Sequence, residues 1–220
     1  MSLEQLKKLN DEMIDGLCSF FKGANILIEK DTEIVTIYAY LLLQATGIER
    51  LQKIVFILKY FSETKNIPNE NILKKLGHRI DKIHVNHLLE HFSDTEKIYF
   101  ETALKLLTEI VNVKDGYRYV NFNFQDSKSF MVQQQVVKIL EPIKLEFDIT
   151  NILDLTKLSW NILDLILKKY TAILIDLIIK KEIGNGEISI ISCVQQLSPK
   201  KYLFMNLNLE IEKIINNYKN

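Results

Sequence analysis

The three arginines of this chain, Arg50, Arg79 and Arg118, are scarce beside its many lysines, and each sits in or next to a short polar segment. A guanidinium offers a planar, bidentate fork that an ammonium cannot copy, so these positions are the first places to look for recognition of phosphate or carboxylate. Arg50 lies in Gly47-Ile48-Glu49-Arg50-Leu51-Gln52-Lys53. On a helix, Glu49 and Lys53 are one turn apart with Arg50 beside them. Ala45, Ile48, Leu51, Ile54, Val55, Ile57 and Leu58 surround these charges. They form either an exposed ion pair or the polar lining of a groove.

Arg79 lies in Leu76-Gly77-His78-Arg79-Ile80-Asp81-Lys82-Ile83-His84. Gly77 suits a helix C-terminal cap. His78 and Arg79 at the next helix start would combine free backbone N–H groups, the positive end of the dipole and a guanidinium, which suits an anion. The plainer alternative is a capping His78 and a solvated Arg79. His84, His87 and His91 follow at steps of three and four residues on one helix face. Two imidazoles one turn apart can chelate a metal, but a site needs a third ligand such as Glu90 and a supporting shell. With no HExxH and no cysteine partner, a solvated or core-edge stripe is expected, and neither metal nor cofactor is assigned.

Arg118 lies in Asp115-Gly116-Tyr117-Arg118-Tyr119-Val120-Asn121. Stacking between two tyrosines would hold the guanidinium flat with its fork open, and Tyr119 or Phe122 could stack a base. The alternative is a loop anchored to the body of the protein by its aromatics. A Gly-rich phosphate loop, a GxSxG elbow, a Cys–His signature and paired catalytic carboxylates are all missing from the sequence.

The elements that must position these groups read as helices. The 220 residues are 47% hydrophobic and 25% charged, with seven glycines and three prolines. That is too few turn residues for an all-β chain. The formal net charge is zero, which disfavours broad, sequence-independent binding to nucleic acid or a membrane surface but leaves room for a local basic pocket. Cys18 and Cys193 are expected to be small buried hydrophobes of a reducing compartment. The first 21 residues carry charges through an amphipathic pattern, unlike a signal peptide, and the apolar window Ile34 to Leu43 is too short for a membrane span. A cytoplasmic protein is expected.

The periodicity predicts a helix over 3–22 and a long second helix from a cap at Asp31 or Thr32 to about Glu63, with Gly47 marking close packing or a kink. A turn at Pro68 and a short helix to Leu76 come next. A helix to about Phe92 follows, then one capped by Ser93 with Glu96 closing the box and reaching about Val113. Residues 114–126 read as a loop with a strand-like Tyr119 to Phe124. Residues 127–141 read as helical up to Pro142. The longest helix is expected from Asp148 or Thr150 to about Glu182, with Asp154, Lys157, Asn161, Asp164, Lys168 and Thr171 on one polar seam. A short strand over Glu187 to Val194 and a helix over Pro199 to Tyr218 would end the chain. The expectation is an all-α, up-and-down helical bundle with peripheral helices and a short two-stranded element, in a single domain over 1–220.

Taken in order, Gly47 to Lys53, Gly77 to Ile80 and Arg118 to Asn121 resemble the "GIER-L-x-K" helix, the "GH-x-L/I" helix start and the "RY-x-N" loop of bacterial HEPN-type helical proteins. The resemblance spans about residues 35–125, within a HEPN-like core of about 32–183 followed by a C-terminal extension over 184–220. It implies a helical bundle, a homodimer, and association with RNA or a nucleotide in an inter-helix groove, in a toxin–antitoxin or phage-defence setting. Carried onto this sequence, it implies that Glu49, Arg50, Lys53, His78 and Arg118 line the groove, with Tyr119 and Asn121 beside them. Active HEPN ribonucleases carry an Arg followed, after four to six residues, by a His. Arg79 and His84 have that spacing, although Ile80 stands where a polar residue is common. On that reading Arg79 would stabilise phosphate charge and His84 would transfer the proton, without a metal. The rival expectation is a non-catalytic helical interaction module that binds a protein partner or itself through an apolar face.

Overall fold

The computed structural model describes residues 1–29, 34–112, 132–179 and 200–219. Among them the chain is helical throughout its ordered elements: α1 (Leu3–Glu29), α2 (Ile34–Thr64), α3 (Glu70–Leu76), α4 (Ile80–His87), α5 (Asp94–Leu107), α6 (Val132–Val136), α7 (Leu155–Ile179), α8 (Lys200–Leu203) and α9 (Leu207–Tyr218). No strand occurs among the described residues. The strand-like stretches 119–124 and 187–194 fall outside them. No helix among the described residues is long and apolar enough to cross a membrane.

The two longest N-terminal helices form an antiparallel pair. Arg50 meets Glu12 and Asp15, while Gln44 reaches the Phe20 carbonyl. Between these contacts a Cβ placed on Gly47 would lie 2.6 Å from the Gly16 carbonyl and 2.9 Å from Phe20 Cβ. The mid-helix glycine therefore marks close approach of the two helix backbones. Helix α1 buries Leu9, Met13, Leu17 and Phe20 against this seam. It runs a full two turns beyond the expected end because the same spacing continues through Gly23, which packs on Leu43 and Gln44. Cys18 follows Leu17 onto the solvent face, so the expected buried thiol is exposed. Cys193 lies outside the described residues.

Helix α7 is the centre of the molecule, with 15 of its residues buried. It begins at Leu155, later than the predicted start at Asp148 or Thr150, because the Asp148 carboxylate is occupied locally. It accepts from the Thr150 N–H at 3.0 Å and the Thr150 hydroxyl at 2.7 Å, a turn that competes with helix. Asp154 then supplies the cap, accepting from the Lys157 N–H at 2.9 Å. The polar seam of α7 is shared out among its neighbours. Asp164 accepts from the Tyr40 hydroxyl of α2 at 2.9 Å and pairs with Lys168, while Asn161 donates to the Tyr218 hydroxyl of α9 at 2.7 Å.

Buried Leu207, Ile211 and Ile215 join α9 to the same hydrophobic cluster that holds the buried residues of α1, α2, α5 and α7. Each fully buried Leu or Ile stabilises the fold by roughly 1.5–3 kcal/mol relative to leaving it exposed. Lys169, though almost wholly buried, keeps its charge satisfied. Its Nζ donates to the carbonyls of Leu203 at 2.5 Å and Met205 at 3.2 Å, and lies 3.4 Å from Glu96. Glu96 is also the box residue that caps α5 with Ser93, as the sequence predicts. The helix predicted to reach Phe92 stops at His87 and is continued by a 3₁₀ turn over Leu89–His91.

Candidate functional site

Gly77 sets the local geometry of the polar segment. Its backbone has φ of 61°, and its N–H donates to the Lys74 carbonyl at 3.1 Å, closing α3. A Cβ there would touch nothing within 4 Å, so the left-handed backbone and not lack of space calls for glycine. The turn delivers His78 to α2, where His78 Nδ1 lies 2.9 Å from Glu49 Oε1. The same carboxylate oxygen accepts from Lys53 Nζ at 2.7 Å. Glu49, Lys53 and His78, separated by up to 29 positions in the chain, thus form one cluster.

Arg50 does not join it. One residue further along a helix is a rotation of about 100°, and this carries Arg50 to the α1 side. There Nη1 sits 2.5 Å from Glu12 and 3.5 Å from Asp15. Arg79 occupies the N-terminal cap position of α4 without making a side-chain cap. It folds onto Asp81 in a fork, Nε to Oδ1 at 3.2 Å and Nη2 to Oδ2 at 2.6 Å. Burial pushes the Asp81 carboxyl upward. The bond to Arg79, the Lys82 backbone N–H and the Thr108 hydroxyl together outweigh this and hold it below the usual range. Arg118, Tyr119 and Asn121 lie outside the described residues.

His84 is where the sequence reading and the packing part most clearly. Its imidazole has 0% of its surface exposed, whereas the Arg79 side chain is 46% exposed. The spacing that pairs them in sequence divides them between core and surface. The ring packs against Phe92 at 5.0 Å and Tyr170 at 5.3 Å between centroids. Tyr170 in turn stacks on Phe92 and meets Phe100 edge-on. Gln52 Nε2 donates to the Tyr170 hydroxyl oxygen at 2.7 Å and to the Ile80 carbonyl at 3.1 Å.

Because that oxygen already accepts, the Tyr170 hydroxyl hydrogen is directed to His84 Nδ1, 3.2 Å away. This network places the proton of the neutral ring on Nε2, by the pairing rules for imidazole. Nε2 itself has no partner among the described residues. Burial pushes the His84 pKa down to about 4. An imidazole so placed is neutral at pH 7 and closed off from an external phosphate.

The remaining histidines separate as well. His87 packs edge-on against Phe56, and burial followed by the charge of Lys59 holds it below its ordinary value. Glu90 pairs with Lys59, and His91 Nε2 lies 3.6 Å from it. Among the described residues no group of three or more His, Cys, Asp or Glu could hold a metal.

Sequence reasoning did not single out Tyr170, the acidic partners on α1, or Gln52 as a core donor. Gln52 had a signal: a polar residue directly after Leu51 and three before Val55 sits on an apolar helix face. Elsewhere, a hollow of about 300 Å³ is lined by Lys144, Phe147, Asp148, Ile149, Thr150 and Leu155. Leu145 and Leu153 of the same segment are 88% and 102% exposed. No protein-family model matches the chain, and neither curated proteins nor solved structures give a match. The HEPN resemblance therefore stands on the three short segments alone.

Proposed function

We propose that the chain is a non-catalytic helical interaction protein whose 143–155 surface pairs with a second copy of itself. One observation carries this reading: two leucines stand in solvent within the segment that lines an apolar hollow. Covering each would stabilise a complex by roughly 1.5–3 kcal/mol before the cost of association. A two-fold pairing needs a surface complementary to itself, and on this reading the exposed Leu153 of one copy would enter the hollow of Phe147, Ile149 and Leu155 of the other. Lys144 and Asp148 on the rim have opposite charges, which a two-fold axis would set against one another. By contrast, the cations of α2 and α4 expected to receive an anion already face Glu49, Glu12, Asp15 and Asp81. Sedimentation over a concentration series tests the proposal. Dimers are expected for the parent chain and monomers, with unchanged helix content, for Leu145→Asp combined with Leu153→Asp. A parent chain that stays monomeric at its highest soluble concentration would refute it.

A second reading keeps the HEPN-like role, with RNA or a nucleotide held in an inter-helix groove in a toxin–antitoxin or phage-defence setting. The convergence of Lys53 and His78 on Glu49, with Arg79 one residue further on, supports it. An anion there would have to draw these cations from their carboxylates. Thermal shift with nucleotides and short RNAs tests binding, and no shift removes this reading. Incubation with RNA and a chelator tests cutting. Cleavage that is unchanged in Arg79→Ala would take Arg79 and His84 out of a catalytic role.

A further inference from the structure

We propose that His84 is an acid-released latch: protonation of its buried ring, which reaches Tyr170 of α7, frees α4 from its seat against α2 and α5. The geometry makes the neutral ring a structural requirement. The ring is wholly buried among aromatic and amide groups, a setting that disfavours a charge left without a carboxylate. From α2 comes Gln52, whose Nε2 donates to Tyr170 and to the Ile80 carbonyl, while its Oε1 is buried with no partner among the described residues. From α7 comes Tyr170, whose hydroxyl is raised well above its ordinary range by burial and so stays protonated. Phe92, after the 3₁₀ turn, supplies an apolar face. Phe100 of α5 walls the cluster through Phe92 and Tyr170.

The charged groups nearby in sequence are turned elsewhere. Asp81 faces Arg79 and Thr108, Glu90 faces Lys59, and His87 lies on Phe56. Among the described residues no carboxylate is bonded to the His84 ring. A second proton would go to Nδ1, ending its role as acceptor, so the Tyr170 hydroxyl would have to turn its own hydrogen away. It would also leave a charge in an apolar cage.

Opening is local at first. Helix α4 has eight residues, and the ring is one of its three buried side chains, with Ile80 and Ile83. Two polar bonds tie Ile80 and His84 to α2 and α7, while Asp81 holds the start of α4 to Thr108. Losing the His84 bond cuts the tie to α7 and disturbs the Tyr170 hydroxyl to which Gln52 donates. A short helix held by few side chains opens below the global unfolding free energy.

The pH window follows from direction. A His whose folded pKa lies below its unfolded value makes the folded state bind fewer protons. Stability is then complete above about 6.5 and is lost as pH falls from there towards about 4. That interval corresponds to roughly 300-fold in the folding or opening equilibrium. Urea unfolding from pH 8 to pH 4, paired with amide exchange, reads it directly. The parent chain is expected to lose up to tenfold in equilibrium constant per pH unit in the window, with residues 80–87 exchanging before those of α7. His84→Gln, a neutral replacement, is expected to lose that component. Parallel profiles for the two proteins would overturn the proposal. If His84→Gln does not fold, the ring resonances of the parent chain decide. Titration of His84 below pH 5 upholds the latch, and titration above pH 6 refutes it.

Discussion

Two polar clusters on neighbouring helices use similar residues to opposite ends. At the surface, Glu49, Lys53 and His78 meet around one carboxylate oxygen. One turn deeper, Gln52, Tyr170 and His84 meet around one hydroxyl. Gln52 and Lys53 are adjacent in sequence, yet about 100° of helix rotation sends one into the core and the other towards solvent. The ion pair of that cluster is only partly covered, Lys53 keeping 27% and Glu49 17% of its side-chain surface, and as a pair one helical turn apart it is worth roughly 0–1 kcal/mol. The buried cluster gains little from each bond in itself, but a donor left unpaired there costs about 1–3 kcal/mol. Ionic chemistry looks prominent in the sequence, while breaking the neutral network is expected to cost more stability.

Removing one wall of the buried cluster tests the comparison most severely. Phe100→Ala deletes a ring that packs on both Phe92 and Tyr170, and should destabilise the protein by about 3–5 kcal/mol in urea unfolding. A loss below about 1 kcal/mol would mean that the cluster is loosely packed. Tyr170→Phe keeps the ring and removes only the hydroxyl shared by Gln52 and His84. It should cost about 2 kcal/mol, and it should raise the His84 pKa only slightly, because burial remains. On the surface, Glu49→Gln should cost less than about 1 kcal/mol, a difference that high salt erases. A Glu49→Gln penalty equal to that of Tyr170→Phe would abolish the distinction between the two clusters.

Periodicity, caps and glycines made the helices readable. Gly77 and the Ser93–Glu96 box predicted local hydrogen bonds that need no distant partner. Gly47 predicted close approach, though only the fold names Gly16 and Phe20 as what approaches. The start of α7 was misplaced because Asp148 and Asp154 are equally good capping residues in sequence. The choice between them rests on Thr150 engaging the first. The site was harder to read for a general reason. Side-chain type and spacing reveal which residues share a helix face, but not which face meets core. His78 and His84 differ by six positions, and nothing in their own chemistry says that one meets Glu49 and the other Tyr170. That information lies on α2 and α7, whose placement depends on long-range packing.

The buried ammonium of Lys169 bears on how the chain can be shortened. It is neutralised by the ends of peptide units at Leu203 and Met205 and by Glu96, so residues 200–219 act as a plug as well as a helix pair. Any shortened form ending before Lys200 would leave the Lys169 ammonium with Glu96 alone and uncover the strip met by Leu207, Ile211 and Ile215. Such a truncation should behave as an aggregation-prone core defect, whereas Lys169→Met in the same background would partly restore it.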